Sequence, residues 1–364
     1  MISSVSKLAA PLTFACGVTV PNRFMLAPLT NMQSHADGTL SDEELRWLTM
    51  RAQGGFGATM TCASHVQAIG QGFLGQLGNF GEQHLAGLTV LATAIRDAGS
   101  VAITQLHHAG NRSPRELIGT QPVCPSDDAR NDARELTNDE VHGVVGDFVA
   151  AALRAEQAGF HGVELHGAHG YLLCQFLSAE LNQRTDEYGG SLENRSRIII
   201  EILEGIRSRC AAGLLVGIRL SPERFGMRIV EVRELAQQLM ANGLVDFIDM
   251  SLWDSFKEPV DTDFAGRTLI ECFADLNRGD VRLGVAGNLY DGADMRRAID
   301  LGVDFVLPGR AAVLHHDLAR RIIDDPDFVA TRPPVTTAYL RDEGLSDVFV
   351  GYMSGWAGFV ADPE

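Results

Sequence analysis

Short apolar runs, several rich in β-branched residues, alternate along the chain with longer stretches in which apolar positions recur at helical spacing. That alternation is the signature of repeated βα units. Eight runs predict strands: Arg23 to Pro28, Ala58 to Cys62, Val101 to Leu106, Gly162 to Leu165, Leu214 to Leu220, Val245 to Met250, Val281 to Val285 and Phe305 to Leu307. Between them the spacing predicts helices, among them Asp42 to Gln53, Glu140 to Ala158, Glu193 to Cys210, Val230 to Asn242 and Asp294 to Asp300. Ser41 and Ser191 stand where N-caps belong, because a hydroxyl accepts from the unpaired N–H groups of a first turn. Gly55, Gly57, Gly159, Gly243 and Gly302 stand just ahead of a strand, where helix ends favour a left-handed residue.

Eight repeats without a linker or break in composition predict an α/β fold, a single (β/α)8 TIM barrel over residues 1–364, rather than a doubly wound sheet. Residues 111–138 are rich in turn formers and read as a long loop after the third strand; loops of that length are usually functional or mobile. Residues 333–364, with the aromatic segment VFVGYMSGWAGF, read as a C-terminal tail packing on the barrel or on a neighbouring subunit. A homo-oligomer therefore stays open.

Composition narrows the function. The formal net charge of −17 opposes nucleic acid and anionic membrane as partners, since both reward basic surfaces. The chain has no basic leader followed by an apolar run and no window long and apolar enough to span a bilayer, so a cytoplasmic protein is expected. Six scattered cysteines without a C-x-x-C pair fit neither a zinc site nor an iron–sulfur cluster. No metal is expected.

In such a barrel the chemistry gathers at the C-terminal ends of the strands. The bend Ala27-Pro28-Leu29-Thr30 ends the first strand and offers a planar ligand a free backbone and a hydroxyl, although a solvated turn would look the same. Gln105 stands in an otherwise apolar run, TQLHHAGN; its buried amide needs partners, either the edge of a flavin or pyrimidine or the surrounding loop backbone. After the fourth strand, His166 and His169 leave the sheet three residues apart, with Tyr171 two residues on. Two imidazoles suit an oxygen gaining negative charge, and a phenol suits a developing carbanion. Arg219 ends the fifth strand and needs an anionic partner, a ligand or a nearby acid. Gly287 and the Gly309-Arg310 pair follow strands seven and eight, where barrels commonly hold phosphate.

The run HGAHGYLLCQFLS followed by NQRTDEYGGSLENR closely resembles the most recognisable segment of the Old Yellow Enzyme family, flavin-dependent oxidoreductases on a (β/α)8 barrel. The likeness extends from NRFMLAPLTNM to LPGRAAV. It implies FMN as cofactor and NADPH or NADH as reductant. It would place Ala27, Pro28, Leu29 and Thr30 against the isoalloxazine, with Ala63 and Gln105 flanking it. Arg219 would lie at the ring's N1/O2 edge, and Gly287, Gly309 and Arg310 at the phosphate. His166 and His169 would bind a substrate oxygen, and Tyr171 would deliver a proton to a small activated alkene. Thr30 stands where one branch of the family has a cysteine that tunes the flavin, so that mode of tuning is in doubt here. A rival on the same barrel is oxidation of methylated amines, for which Trp253 and Phe256 would form an aromatic wall.

Overall fold

The eight expected runs form one parallel sheet in which neighbours in sequence are neighbours in space. In this computed structural model, which describes residues 4–361, the barrel strands are β1 (Met25–Leu26), β2 (Ala58–His65), β3 (Val101–His107), β4 (Gly162–Gly167), β5 (Leu215–Leu220), β6 (Phe247–Ser251), β7 (Arg282–Ala286) and β8 (Phe305–Val306). The last strand returns to the first: Val306 N donates to Arg23 O at 3.0 Å, and Phe24 bridges Val306 in parallel. The sheet is therefore a barrel, the fold class expected.

Strand ends differ from the apolar runs for physical reasons. The β1 ladder stops before Pro28, which has no N–H to give it. Strand β2 runs on through Ser64 and His65, polar residues that end an apolar run but are buried here; Ser64 Oγ pairs with Thr104 Oγ1 at 3.0 Å. Strand β4 likewise continues two residues past Leu165, and so carries His166.

Helices α1 (Asp42–Gln53), α2 (Leu85–Asp97), α3 (Asn138–Ala158), α4 (Leu192–Arg209), α5 (Ile229–Asn242), α6 (Glu271–Ala274), α7 (Gly292–Asp300) and α8 (Leu318–Asp324) follow the successive strands. Ser41 and Ser191 cap α1 and α4 as expected, accepting from Glu44 N and Asn194 N. Helix α3 starts two residues before the expected Glu140, because Thr137 and Glu140 close a reciprocal capping box. Gly159 and Gly243 end α3 and α5 at φ 91° and 71°.

The interior is filled from below. A hairpin of Leu12–Thr13 and Thr19–Val20 sets Phe14 beneath the barrel, 5.8 Å from the Phe247 ring and 6.1 Å from that of Phe305. Those rings fill space that Gly217 and Gly284 leave, since a Cβ at either position would lie 2.1 Å from a ring carbon. The floor is thus closed, and the open end lies at the strands' C-termini.

The 111–138 segment is ordered by a short helix, Arg115–Ile118, and by a parallel pair of two-residue strands, Val123–Cys124 and Arg134–Glu135. Arg184 Nη1 donates to Pro125 O at 3.1 Å and to Leu136 O at 2.5 Å, tying both ends of the turn to the barrel. The tail folds back on the same chain. Its helix α9 (Asp347–Ser354) sets Phe349 edge-on to Trp47 of α1, with centroids 5.5 Å apart. Among the described residues no helix is long and apolar enough to cross a membrane.

Candidate active site

A cavity of about 500 Å³ occupies the open end of the barrel. The thirteen residues expected to bind FMN or carry the chemistry all line it: Ala27, Pro28, Leu29, Thr30, Ala63, Gln105, His166, His169, Tyr171, Arg219, Gly287, Gly309 and Arg310. Each comes from a strand's C-terminal end or the loop beyond it. Alternation explains the selection, because residues two apart on a strand share a face. The lining also holds residues that no local pattern signalled: Arg112, Arg224, Phe225, Ser251 and, from the tail, Tyr352 and Trp356.

The imidazoles form a row. His107 Nδ1 lies 3.0 Å from His166 Nδ1, His166 Nε2 lies 2.8 Å from His169 Nδ1, and His169 Nε2 lies 2.6 Å from Ser251 Oγ. Burial holds all three rings well below the usual imidazole range, reinforced at His107 by His108 and His65, at His166 by His107 and His169, and at His169 by Arg219 and Arg112. At neutral pH each ring is therefore uncharged, with one N–H and one lone pair. His169 sits at φ 62°, a conformation costly for a side chain with a Cβ. It is held by its N–H to Ser221 Oγ at 3.0 Å and by the neighbouring Gly170 carbonyl, which accepts from Gln175 Nε2 at 2.8 Å.

Tyr171 stands at the foot of a short helix, Leu172–Leu177, with its ring 4.4 Å from His107 and 5.0 Å from His166. Burial raises the phenol above its ordinary value, while the Arg112 guanidinium, 4.5 Å over the ring, acts in the opposite sense. The hydroxyl keeps its proton at neutral pH and is available as an acid.

Beneath this row lies a buried polar layer built by strand register, with Gln105 beside Glu164 and Arg219 beside Asp249. Gln105 Nε2 donates to Glu164 Oε1 at 2.7 Å, and Arg219 Nε lies 3.1 Å from Asp249 Oδ2. The acids that satisfy the amide and the guanidinium are thus within the chain. Both stand in the sequence as charged residues inside the predicted strands, with no local signal that ties them to Gln105 and Arg219. Burial, and then Asp249, push Glu164 well above the usual carboxylate range; burial raises Asp249, with Arg219 opposing. Glu164 Oε2, Arg219 Nε and both Asp249 oxygens have no aligned hydrogen-bond partner. Arg219 and Asp249 pair by charge, the layer as a whole is under-bonded, and Arg219 still reaches the cavity.

At the far end, Arg310 Nη2 donates to Asn288 Oδ1 at 3.1 Å. Among the described residues no carboxylate lies within ion-pair distance of Arg310. A Cβ on Gly287 would lie 3.0 Å from Ser255 Oγ and 3.1 Å from the Trp253 backbone, at φ 154°, so glycine is required there. Trp253 lines the cavity but Phe256 does not. Their faces are covered by Arg224, 4.6 Å over Trp253, and Arg297, 4.1 Å over Phe256. Among the described residues no three His, Cys, Asp or Glu side chains come together in a metal-binding group.

Residues 7–331 match the family described as NADH:flavin oxidoreductase / NADH oxidase. The chain is 36% identical over 314 residues to the probable NADH-dependent flavin oxidoreductase YqiG of Bacillus subtilis, covering 83% of this chain and 84% of that one. Its fold matches the solved Old Yellow Enzyme homologue from Zymomonas mobilis with a TM-score of 0.78 and 26% identity, over 94% of this chain and 99% of that one. The chain belongs to the Old Yellow Enzyme family. Longer relatives match too: the NADH:fumarate oxidoreductase of Klebsiella pneumoniae is 33% identical over 337 residues, which are 88% of this chain and 36% of that one. This Old Yellow Enzyme is accordingly an enzyme, an NADH- or NADPH-dependent flavin oxidoreductase, with FMN as its cofactor.

Proposed function

We propose that this Old Yellow Enzyme reduces the C=C bond of small alkenes activated by a carbonyl or nitro group, with Tyr171 as proton donor. The observation that carries the reading is the pair His166 Nε2 and His169 Nδ1, 2.8 Å apart on the cavity wall, with a protonated phenol beside them. At that separation one neutral imidazole donates to the other; with both N–H groups turned to a bound oxygen in place of that bond, the pair is suited to an oxygen that gains charge as the double bond is reduced.

The residues present fit FMN. A cavity of about 500 Å³ whose lining includes no carboxylate and four guanidiniums suits a large planar ligand that ends in a phosphate. Arg310, with no acid of its own, would hold that phosphate with Gly287 and Gly309, since glycine lets a ligand approach the backbone. Ala27, Pro28, Leu29 and Thr30 would lie along the ring system, Ala63 and Gln105 would flank it, and Arg219 would face its electron-rich edge. When bound, FMN supplies the hydride that the alkene's β-carbon takes, replenished from NADH or NADPH in the same pocket.

The chain's own residues do the rest. The substrate oxygen accepts from both imidazoles, so His166 must carry its hydrogen on Nε2 and His169 on Nδ1. Their outer nitrogens must then accept, and the groups in reach are His107 Nδ1 and the Ser251 hydroxyl. Tyr171 gives its proton to the α-carbon, a step in which a positioned acid is worth about 10² to 10⁴ in rate.

Amine oxidation on the same barrel finds less support. A methylated cation would enter a cavity with four arginines and no lining acid, and the aromatic faces meant for it are already covered by guanidiniums. Anaerobic stopped-flow mixing separates the two. Flavin reduced by NADPH and reoxidised by 2-cyclohexenone supports alkene reduction; flavin reduced by trimethylamine without NADPH supports the amine reaction and contradicts ours.

A further inference from the structure

Seven non-glycine residues among those described have positive φ, and five of them line the cavity: His169, Arg224, Phe225, Trp253 and Asn288. Backbone strain of this kind persists where the surrounding structure holds a site in place. Two of the five are consecutive, Arg224 at 69° and Phe225 at 54°, in the loop after β5. That loop swings Arg224 across the cavity mouth, where its guanidinium lies 4.6 Å over Trp253 and 5.5 Å over Phe225. From the loop after β3, Arg112 Nη1 donates to the His169 carbonyl at 2.6 Å, and its guanidinium covers Tyr171 at 4.5 Å.

Among the described residues neither Arg112 nor Arg224 lies within 4.0 Å of a carboxylate, whereas Arg219 in the same cavity is matched by Asp249. What sets them apart is their place, since both line a cavity whose lining holds no carboxylate. Both charges also bear on His169, lowering its basicity alongside Arg219. Aromatic rings hold the two guanidiniums over the cavity without neutralising them, and apart from the Arg112 Nη1 bond to the His169 carbonyl their N–H donors are not engaged among the described residues. Such a pair suits a carboxylate, whose oxygens accept from planar guanidinium forks.

We infer that the substrate is an anionic alkene: besides the group that activates the double bond it carries a carboxylate, which Arg112 and Arg224 bind at the cavity mouth. The inference rests on the alkene-reductase reading for the double bond. The anion-binding claim itself needs no turnover. Arg112 and Arg224 are specificity-determining residues, and a neutral analogue of the same shape forfeits their charge-assisted bonds. Each such bond is worth enough to change affinity about tenfold.

The test uses saturated keto acids, which the holoenzyme cannot reduce at a C=C bond. Binding of 4-oxopentanoate and of 3-oxocyclohexanecarboxylate is measured by calorimetry against the methyl ester of each. At least one acid is expected to bind about tenfold or more tighter than its ester, and 0.5 M salt should weaken the acid alone. In the double variant Arg112→Gln/Arg224→Gln that preference should shrink to about threefold or less. The two single variants, each keeping one guanidinium, should fall between. Equal binding of acid and ester, no binding of either acid, or a preference that survives in the double variant would overturn the inference. So would a loss in the double variant confined to reduction by NADPH, which would assign the arginines to the dinucleotide's phosphates. Selective acid binding in an enzyme that ignores 2-cyclohexenone would leave the anion site standing and remove the alkene reading.

Discussion

Arg219 Nε and Asp249 Oδ2 lie 3.1 Å apart on adjacent strands, the carboxylate fully buried and the guanidinium nearly so. Asp249 lies under the cavity that Arg219 lines, and neither Asp249 oxygen has another bond. Removing one charge leaves the other stranded in the barrel, a loss that typically runs to about 3–5 kcal/mol. Asp249→Ala is therefore expected to lower the free energy of unfolding by that amount in urea titrations of the FMN-free protein. A loss below about 1 kcal/mol would show that Arg219 is satisfied elsewhere.

Tyr171 separates the two halves of the cycle. With Tyr171→Phe the ring and its contact with Arg112 survive while the proton is gone. Reoxidation of reduced enzyme by 2-cyclohexenone should slow about 10² to 10⁴-fold, and flavin reduction by NADPH should slow far less. Equal losses in both half-reactions would remove the phenol from the proton-donor role.

His107 is expected to act through His166. His107→Phe keeps a ring against Tyr171 but removes the Nδ1 partner of His166, so KM for 2-cyclohexenone should rise about fivefold, the worth of one hydrogen bond between neutral groups. His107→Asn places an amide near the lost nitrogen and should recover most of it. If Asn and Phe behave alike, the row of imidazoles is only packing.

Buried imidazoles also set a pH limit. Burial lowers His65 to about 4 and His108 to about 3, below the about 6.5 of the unfolded chain. Groups with depressed folded pKa values of this kind contribute stability above pH 6.5 that is lost as pH falls through the window toward 4 and 3. Each proton taken up on unfolding steepens the fall by about 1.4 kcal/mol per pH unit. His108 accepts from Gly110 N and meets Gln67 Oε1, so His108→Asn should flatten the decline between pH 6.5 and 5 by about one proton, read from urea midpoints. Parallel curves would contradict it.

The tail residues that line the cavity differ in burial. Phe349 is 1% exposed against Trp47 while Trp356 is 41% exposed. Phe349→Ala should cost about 3–5 kcal/mol, and Trp356→Ala about 1 kcal/mol or less. Thermal unfolding of the two variants checks this ordering.

Much of this was legible in the sequence. Alternating strand and helix periods specified a barrel, and the residues at each strand's end fell in one cavity because barrel topology brings all eight ends together. Strand limits were less legible, since Ser64, His65 and His166 are polar yet buried. The acids Glu164 and Asp249 were visible but carried no periodic signal that tied them to Gln105 and Arg219; only strand register pairs them. Arg112, Arg224 and Tyr352 reach the cavity through loops and the tail, whose course depends on tertiary contacts that no local pattern encodes.

The visible spectrum of the purified holoenzyme, taken anaerobically before and after NADPH and then after 2-cyclohexenone, bears most directly on the alkene-reductase reading. Flavin bands that bleach with NADPH and return with the enone are the expected result. Bands that bleach and stay bleached when the enone is added would contradict it.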